Sequence, residues 1–396
     1  MSKISLQTVR RIAVFGQGIT ARAVHETLEK FPRFTLVSPE DSADIGILSP
    51  GIPPEEYREK YSYPLCSEIC FADALFTYSG KNVRYIGISG TNGKTTTTSL
   101  ISQLLSIPSA GNIGIPLITY ASPDPDKIPD IFALELSSYQ IEQSPELKVF
   151  IYVLLNITED HLQRHKTMDE YIRMKFQPLR QQEKDHFFIY NGLDPLIKKS
   201  LSGFTSISPQ ILDFTQPDPV DAWLDSSPFP GEHNRMNLKA ALLAARLSGA
   251  TDLSSKILRL TPVPHRLEPV GNINHIQYIN DSKSTNPDSS IAALKSFPFE
   301  HIILLFGGEE KQSDYSQLWK LIRINGIRCI GFGQARGLIK EALTGTSLCL
   351  DLAETLGQAV RSACQNAGKN DIILLSPGCA SFDQYQNFEE RGHDFR

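Results

Sequence analysis

Short apolar runs alternate with helical patterns along almost the whole chain. Most of these runs end in glycine, serine or another turn-forming residue, as strands do where they lead into a helix. In chain order they read IAVF, FTLVS, ADIGILSPG, IFALELSS, VFIYVLLNIT, HIILLFGG, IRCIGFG and DIILLSPG. IFALELSS and VFIYVLLNIT are long and apolar enough to be central strands, buried on both faces. The pattern therefore predicts an α/β protein with mainly parallel sheets.

Breaks in this pattern divide the 396 residues into three parts. The first part ends near Ser79-Gly80, just before a glycine-rich loop. A proline-rich segment, 217–230, predicts a loop that precedes a helix at Met236–Leu247. The run Thr261-Pro262-Val263-Pro264 marks the start of the last part. We therefore predict three domains, over residues 1–80, 81–262 and 263–396.

Residues 83–98, VRYIGISGTNGKTTTT, predict a buried strand, a glycine-rich loop and a helix in that order. Gly90 and Gly93 let backbone N–H groups turn toward an anion, and the positive end of the helix attracts negative charge. Lys94 then reaches the β- and γ-phosphates of a nucleoside triphosphate, and Thr95 or Thr96 offers a hydroxyl to Mg²⁺. The alternative is an ordinary strand–turn–helix with a surface lysine. The strand, the two glycines, the Lys-Thr pair and the helix all occur in the required order, which favours the nucleotide site.

The first strand leads into GQGITA, residues 16–21, which fits the G-x-G-x-x-G/A pattern of a dinucleotide site. That pattern expects an acidic residue about 20 positions further on. The segment there reads Ser38-Pro39-Glu40-Asp41, so the acids are displaced and interrupted by proline. The first part is also too short for the full six-stranded dinucleotide fold. Another phosphate-bearing nucleotide, or a vestigial site, fits this loop about as well as NAD does.

Titratable residues follow two further apolar runs, where open parallel sheets bind their ligands. Glu135 ends one run, which suits a Mg²⁺ ligand and equally a helix-capping or solvated acid. His161, in NITEDHLQRH, is a metal ligand or substrate contact if Glu135 lies beside it, and a capping residue otherwise. Lys175 lies in a helical pattern, Met168–Phe176, where an exposed lysine is the common case.

Two sequences in the last part crowd hydroxyls, amides and charges into turns that follow apolar runs. They are NDSKSTNP at 280–287 and SPGCASFDQ at 376–384. Turns of this kind, at the N-termini of helices, form sites for anions and carboxylates. GGEEK, at 307–311, adds a lysine after a third run. Arg266, in PVPHRLE, either contacts a ligand or simply pairs with Glu268.

Composition narrows the classes of partner. A formal net charge of −5 argues against a broad nucleic-acid-binding face, so an anionic ligand must be bound by local donors. No run approaches the roughly 20 apolar residues of a membrane helix, and Ile12–Phe15 is too short for a signal-peptide core. The six cysteines lack paired zinc spacing, which favours reduced thiols. We expect a cytoplasmic protein with no nucleic-acid partner and no membrane insertion.

Together the motifs resemble the Mur ligases of bacterial peptidoglycan synthesis, in the family's order and from the first strand to the last residue. The matching segments are SGTNGKTT, GNIG, ELSS, NITEDH, GEHNRMN, PHRLE, NDSKSTNP and SPGCASFDQYQNFEERG. NDSKSTN with SPGCASFDQ resembles the branch of the family that adds D-glutamate. The resemblance implies a monomer with a small Rossmann-like N-terminal domain for the UDP end, a central P-loop ATPase domain, and a C-terminal Rossmann-like domain for the amino acid. It also implies ATP-dependent ligation of D-glutamate to UDP-N-acetylmuramoyl-L-alanine through an acyl phosphate, with release of ADP and phosphate.

The resemblance further implies a role for individual residues. The catalytic set is Lys94, Glu135, His161 and Lys175. The implied ATP contacts are Gly90, Thr91, Asn92, Gly93, Lys94, Thr95, Thr96, Asn237, Arg266 and Asp281. The implied Mg²⁺ ligands are Thr95, Glu135, His161 and Lys175, the last as a carbamate, which is an anion and can hold a metal. The UDP-sugar end would contact Ile19, Thr20, Ser49, Gly51 and Asn112. The D-glutamate pocket would comprise Lys283, Thr285, Lys311, Ser381 and, through its backbone, Phe388.

One segment departs from the family pattern, because Glu309-Glu310 stands where the family commonly has Asp-Gly. Three other functions compete with the ligase interpretation. A folylpolyglutamate synthase, or a Mur ligase for another amino acid, would share the ATP site. A P-loop switch protein would not need polar clusters after three further strands. An NAD-dependent oxidoreductase would explain GQGITA and leave GTNGKT unused.

Overall fold

The computed structural model describes residues 4–160, 162–203, 208–226, 229, 231–310 and 313–396, without the side chain of Leu162. The chain forms two compact units. The first unit comprises Met1–Ser226 with Met236–Leu260, and the second comprises Ser227–Arg235 with Thr261–Arg396. The first unit holds two β-sheets and the second unit holds one.

The first sheet of the first unit has four parallel strands in the order β2-β1-β3-β4. Its strands are β1 (Arg11–Phe15), β2 (Thr35–Val37), β3 (Ile45–Leu48) and β4 (Leu65–Ser67). Its helices are α1 (Ile19–Leu28), α2 (Pro54–Arg58) and α3 (Glu68–Tyr78). The fully buried stretch IGIL of β3 pairs with both β1 and β4, as the apolar run predicts.

The second sheet has six parallel strands in the order β10-β9-β8-β5-β7-β6. Its strands are β5 (Arg84–Ser89), β6 (Ser109–Gly111), β7 (Ile131–Glu135), β8 (Ile151–Leu154), β9 (Phe187–Tyr190) and β10 (Gln210–Asp213). Its helices are α4 (Lys94–Leu105), α5 (Ser138–Glu142), α6 (Leu162–His165), α7 (Met168–Phe176), α8 (Pro195–Ser202), α9 (Glu232–Leu247) and α10 (Leu253–Ile257). Short 3₁₀ segments lie at Leu117–Tyr120, Pro125–Lys127, Gln177–Gln181 and Pro219–Ser226.

One apolar core joins the two sheets of the first unit. Phe71 and Phe76 of α3 belong to the same buried cluster as Phe132 of β7, and the rings of Phe76 and Phe132 are stacked with centroids 5.9 Å apart. Glu68, at the start of α3, accepts a hydrogen bond from the backbone N–H of Ile118. These contacts place the first two sheets in a single compact unit.

The sheet of the second unit has the strand order β11-β12-β16-β13-β14-β15. Its strands are β11 (Glu268–Ile273), β12 (Ile276–Asn280), β13 (Ile302–Gly307), β14 (Arg328–Phe332), β15 (Cys349–Ala353) and β16 (Ile372–Gly378). Its helices are α11 (Pro287–Leu294), α12 (Ser316–Asn325), α13 (Arg336–Ala342), α14 (Leu356–Asn366) and α15 (Phe388–Phe395), with a 3₁₀ turn at Phe299–His301. Every pairing is parallel except that of β11 with β12.

Each apolar run named in the sequence analysis forms a strand. The pattern did not single out β4, β6, β9, β10, β11, β12 and β15. Helix α9 begins at Glu232 and not at Met236, because Gly231, with φ of +90°, makes the turn just before it. The antiparallel strand β11 is mostly exposed and therefore leaves no apolar run to detect.

Within the described ranges, no helix combines the length and the apolar character that crossing a membrane demands.

Candidate active site

The glycine-rich loop of the first unit connects β5 to α4 at the carboxyl edge of the second sheet. Gly90 and Gly93 have φ of +153° and +85°, and a Cβ at Gly93 would lie 2.5 Å from Asn237 Oδ1. Glycine is therefore required at Gly93 both by the backbone and by the approach of α9. The Asn92 N–H donates to Asn156 Oδ1 (2.8 Å), and Asn156 Nδ2 donates back to Asn92 O (3.0 Å). Strand, loop and helix thus occur in the predicted order, with Asn237 against the loop.

Two lysine side chains meet at the carbonyl oxygen of Gly90. Lys94 Nζ donates to Gly90 O and to Thr91 O, both at 2.8 Å. Lys175 Nζ donates to the same Gly90 O at 3.0 Å and to Ser89 Oγ at 3.3 Å. Helix α7 spans the predicted residues, but Lys175 is only 1% exposed, so the common case of an exposed helix lysine is wrong here. The loop concentrates two amino groups where phosphates are expected to bind.

The surroundings of Lys175 disfavour its charged form. Burial lowers the pKa of Lys175 well below its ordinary value, and the positive charge of Lys94 lowers it further. The negative charge of Asp160 acts in the opposite direction and raises this pKa. Lys175 Nζ also lies 4.8 Å from the ring centroid of Tyr171, whose hydroxyl is 3.2 Å from Thr91 Oγ1. Sequence reasoning missed Tyr171, although a residue four positions before Lys175 lies on the same face of the helix. A buried amine with a lowered pKa is available as a neutral nucleophile.

Glu135 ends β7, where it pairs with Ile88 of β5. Its carboxylate is 1% exposed, and Oε1 accepts a hydrogen bond from Asn112 Nδ2 at 2.8 Å. Within the described part of the chain, Oε2 is buried without a hydrogen-bond donor. The capping alternative is excluded, because Ser137 caps α5 in a capping box with Gln140. A buried carboxylate oxygen without a donor costs on the order of 1–3 kcal/mol unless a cation or donor reaches it.

Two of the residues singled out from the sequence, His161 and Lys311, lie outside the described residues. The histidine one turn after His161 is described, and sequence reasoning did not select it. His165 Nε2 lies 2.9 Å from Ser138 Oγ, and both residues are buried. Burial lowers the pKa of His165, which keeps the ring neutral. The spacing in HLQRH was the only signal that could have drawn attention to it.

The turns that follow β1 and β3 pack together at the carboxyl edge of the first sheet. Ser49 Oγ donates to Phe15 O at 2.8 Å, and a Cβ at Gly16 would lie 2.4 Å from Ser49 Oγ. The side chain of Ile19 is 59% exposed at the start of α1. Ser49 therefore packs against the turn that leads to Ile19 and Thr20, and Gly51 lies in the same turn as Ser49, whereas Asn112 lies beside Glu135 on the second sheet.

In the second unit, Asp281 is the centre of a buried polar cluster after β12. It accepts hydrogen bonds from the Ser284 and Ser376 hydroxyls and from the Leu267 N–H. Burial raises the pKa of Asp281 to about 6, while the Arg266 guanidinium acts to lower it. The positive charge of Arg266 therefore lies near Asp281, as expected if both contact one ligand.

The alternative partner of Arg266 is engaged elsewhere. Glu268 accepts a hydrogen bond from the Arg396 guanidinium, and its Oε2 accepts from the backbone N–H of His265 at 2.9 Å. Arg266 Nε is buried without a hydrogen-bond partner among the described residues. A simple Arg266–Glu268 pair does not explain this arginine.

Arg391 joins the turns of the second unit. Its guanidinium is fully buried and donates to Ser282 O (2.8 Å), Ala380 O (3.0 Å) and Cys379 O (3.2 Å), and its Nε donates to Ser282 Oγ (3.0 Å). Ser282 Oγ in turn donates to Phe388 O at 2.8 Å. One side chain therefore holds both predicted turns and the start of α15 together. Sequence reasoning missed Arg391, although NFEERG lies within a quoted motif.

The described residues of the predicted amino-acid pocket lie on the turns that Arg391 joins. Lys283 Nζ is 5.1 Å from the ring centroid of Phe388, at the start of α15. Ser381 is buried after β16, and Thr285 is half-buried before α11. These four residues come from two segments about a hundred positions apart, which the sheet brings together.

Comparison with known proteins identifies the family. The Mur ligase middle domain matches residues 88–224, and the Mur ligase glutamate ligase domain matches residues 265–379. A UDP-N-acetylmuramoylalanine–D-glutamate ligase from Pelotomaculum thermopropionicum is 33% identical, over 96% of this chain and 88% of the relative. The chain belongs to the Mur ligase family. A relative of the same name from Prochlorococcus marinus is 38% identical, over 80% of this chain and 73% of the relative.

Solved structures of Mur ligases share the fold of this family member. The MurF ligase from Thermotoga maritima in complex with ADP aligns with a TM-score of 0.60 at 16% identity, covering 94% of this chain and 92% of that one. The UDP-N-acetylmuramate–alanine ligase MurC from the same organism aligns with a TM-score of 0.59 at 16% identity, covering 98% of both chains. The α/β fold with parallel sheets is therefore that of the Mur ligases, as the motifs predict.

Proposed function

We propose that this Mur ligase joins D-glutamate to UDP-N-acetylmuramoyl-L-alanine with hydrolysis of ATP to ADP and phosphate, in the synthesis of peptidoglycan precursors. The observation that carries the proposal is the similarity, over most of the chain, to relatives named for this reaction. The geometry of the two units supports it, since each holds a polar cluster suited to a charged substrate. The proposal includes three domains with the predicted boundaries, a cytoplasmic location and a monomeric state.

The glycine-rich loop is the proposed site of the ATP phosphates. Gly90, Thr91, Asn92 and Gly93 supply backbone N–H groups, and the Lys94 ammonium neutralises the β- and γ-phosphates. Phosphoryl transfer depends mostly on positioning and on charge neutralisation, which are what these groups offer. Asn237, Arg266 and Asp281 are the proposed contacts to the base, the phosphates and the ribose.

The donor set beside the loop fits Mg²⁺. Glu135 offers a buried carboxylate oxygen without a hydrogen-bond donor among the described residues, and Thr95 offers a hydroxyl in the first turn of α4. Oxygen ligands of this kind are those that magnesium prefers. His161 remains a predicted ligand. Bound Mg²⁺ supplies further neutralisation of phosphate charge.

The reaction has two steps. The terminal carboxylate of UDP-N-acetylmuramoyl-L-alanine attacks the γ-phosphorus of ATP, a carboxyl O–P bond forms, and the bond to the β-phosphate oxygen breaks to release ADP. The amine of D-glutamate then attacks the acyl carbon, the C–O bond to phosphate breaks, and the amine loses a proton. Two anions meet in the first step, so the positive charge of the Lys94 ammonium lowers the repulsion between them.

Lys175 is the proposed site of carbamylation. The reaction, R–NH₂ + CO₂ → R–NH–COO⁻ + H⁺, requires the neutral amine, and burial together with Lys94 lowers the pKa of Lys175 in that direction. Once formed, the carbamate is an anion beside the Lys94 ammonium and could serve as a further oxygen ligand for Mg²⁺. The lowered pKa of Lys175 is the observation that supports this proposal.

The proposed amino-acid pocket comprises Lys283, Thr285, Lys311, Ser381 and Phe388. Lys283 and the N-terminus of α15 offer positive charge to the two carboxylates of D-glutamate. Ile19, Thr20, Ser49, Gly51 and Asn112 are the proposed contacts to the UDP-sugar end.

A panel of amino acids tests the function. Purified protein is incubated with ATP, Mg²⁺ and UDP-N-acetylmuramoyl-L-alanine, and phosphate release is measured with each amino acid in turn. We expect release only with D-glutamate and only with the UDP substrate present. Release with L-alanine or a diamino acid would assign another Mur reaction, and release without either substrate would indicate a simple ATPase.

A further inference from the structure

The turn 49–53, between β3 and α2, reads SPGIP and carries two of the proposed contacts to the UDP-sugar end. Its two prolines have no backbone N–H, so the turn has fewer donors than carbonyl oxygens. Within the turn, the Ile52 N–H donates to Ser49 O at 3.0 Å. Carbonyl oxygens that the turn cannot satisfy by itself need donors from other segments or from water.

Gln143, which follows the last residue of α5, supplies a donor to this turn. It is 5% exposed, and its Nε2 lies 2.8 Å from Ile52 O, 3.3 Å from Pro50 O and 3.5 Å from Ser49 O. All three neighbours are acceptors, so the amide must present its nitrogen to them. Gln143 and the turn are about 90 positions apart in the sequence, and the contact joins the second sheet to the first.

Arg164 of α6 reaches the same carbonyl group. Its Nη2 donates to Ile52 O at 3.3 Å and to Glu142 Oε2 at 2.8 Å, and its Nε donates to Glu142 Oε2 at 3.1 Å. The guanidinium carbon also lies 5.2 Å from the ring centroid of Tyr139. The side chains of Arg164 and Glu142 are only 12% and 21% exposed. Because Glu142 is the neighbour of Gln143, both donors to the turn are fixed at one end of α5.

The same helices lie next to the proposed metal ligands. Helix α5 begins three residues after Glu135, and Arg164 follows the predicted ligand His161 by three positions. On the turn itself, Gly51 is exposed, and no described atom lies within 4 Å of the place where its Cβ would be. The turn is therefore held from the side of the metal ligands and leaves space for a substrate at Gly51.

We propose that Glu142, Gln143 and Arg164 are positioning residues, which hold the turn 49–53 at a fixed distance from Glu135. Gln143 and Arg164 act through the carbonyl oxygens of the turn, and Glu142 acts by orienting the guanidinium. This inference rests on the proposed function, in which one substrate contacts the turn at its UDP-sugar end and reacts at its carboxylate beside the metal. Such a substrate fits only when both places have the correct separation.

The first test removes the donor of Gln143. Gln143→Met keeps the length of the side chain, and we expect it to raise the KM for UDP-N-acetylmuramoyl-L-alanine about tenfold. The KM for ATP and kcat should stay within about twofold, because the turn contacts only the UDP-sugar end. An unchanged KM for the UDP substrate, or an equal rise in the KM for ATP, would overturn the proposal.

Gln177→Met is the matched control for a purely structural role. Gln177 Nε2 donates to Ile141 O of α5 at 2.9 Å and makes no printed contact with the turn. Both substitutions remove a side-chain donor from backbone carbonyl groups, so we expect comparable losses of thermal stability. Only Gln143→Met should raise the KM for the UDP substrate, and an equal rise in both variants would show that general destabilisation is the cause.

The second test uses a conservative replacement of Arg164. Arg164→Met should also raise the KM for the UDP substrate, whereas Arg164→Lys should recover part of the loss. Lysine keeps the charge that pairs with Glu142 but lacks the forked geometry of the guanidinium. Arg180→Met, at an exposed arginine of the same unit, should keep the wild-type KM. A lowered kcat with an unchanged KM in Arg164→Met would assign Arg164 to the chemical step and overturn its role in positioning.

Hydrogen exchange followed by mass spectrometry provides a readout that does not depend on activity. We expect peptides that cover the turn 49–53 to exchange faster in Gln143→Met and Arg164→Met than in the wild type or in Gln177→Met. Unchanged exchange in both variants would contradict the proposal. If no amino acid supports turnover of the wild type, the proposed function fails, and the exchange rates still decide whether these residues hold the turn.

Discussion

Both units bury a cation against backbone carbonyl groups, and the two cations respond to burial in different ways. In the first unit, the amino group of Lys175 contacts Gly90 O, and its pKa is well below the ordinary value because of burial and Lys94. In the second unit, Arg391 contacts the carbonyls of Ser282, Cys379 and Ala380, and burial lowers its pKa only to about 10. The arginine stays charged at neutral pH, whereas the lysine can lose its proton.

Because Arg391 stays charged and Lys175 can lose its proton, the two side chains suit different tasks. A guanidinium that keeps its charge and presents five donors can hold several turns in place. A neutral amine can react, and a buried lysine beside a second lysine is a place where reactivity is arranged. Burial against carbonyl groups thus accompanies a support in the second unit and an amine suited to react in the first.

The largest effect is expected from the removal of the Lys94 side chain. We expect Lys94→Ala to lower kcat/KM by about 10³-fold, because the phosphates lose their positioned cation. Thermal unfolding should change little, since the Lys94 ammonium donates to the carbonyls of Gly90 and Thr91 within its own loop. Lys198→Ala, at an exposed lysine of α8, is the matched control for both measurements. Retained turnover in Lys94→Ala would show that the loop is not the phosphate site.

A second test concerns Lys175, a buried lysine of the first unit. We expect Lys175→Ala to be nearly inactive and to regain part of its activity with small carboxylates, which can replace the carbamate in the vacated space. Lys175→Arg should not be rescued, because the guanidinium fills the space and keeps its charge. Phosphate release with and without added carboxylate measures the effect. Full activity of Lys175→Ala would contradict the carbamate.

The supporting cation should affect stability more than chemistry. We expect Arg391→Met to lower the free energy of unfolding of the second unit by about 3–5 kcal/mol, because several buried carbonyls lose their donor at once. Urea denaturation measures it, and Arg361→Met, on the exposed face of α14, is the control. If Arg391→Met instead keeps its stability and alters only the KM for D-glutamate, Arg391 is a substrate contact.

The smallest effect concerns a buried acid of the first unit. Burial raises the pKa of Glu68 from an ordinary 4.5 to about 7. Folding therefore favours the protonated carboxyl, and this contribution to stability is present below pH 4.5 and is lost as the pH rises through about 7. We expect Glu68→Gln to remove a pH-dependent contribution to the free energy of unfolding of about 3 kcal/mol between pH 4.5 and 8.

Urea denaturation of the first unit at several pH values tests this prediction, with Glu29→Gln at an exposed position as the control. A pH profile that Glu68→Gln leaves unchanged would show that Glu68 ionises in the folded state as it does in water.

Much of this Mur ligase follows from local sequence. Strand β5, the glycine-rich loop and α4 are recognisable because their signals are contiguous, and α7 has the predicted bounds of Met168–Phe176. Tyr171, His165 and Arg391 were missed, since their partners lie on distant segments and a single chain carries no mark of which polar side chains will be buried.

The fold class, the glycine-rich loop between β5 and α4, and the branch of the family can be identified from the sequence alone, because they depend on hydrophobic periodicity, glycine placement and ordered motifs. Three features can be seen only in the tertiary structure. Lys175 is buried beside Lys94, and among the described residues Glu135 Oε2 is buried without a hydrogen-bond donor. Arg391 joins the turns of the second unit. These properties depend on burial and on the distance between charges, which arise when separate segments pack together. They are the properties that turn a common residue type into a chemically unusual one.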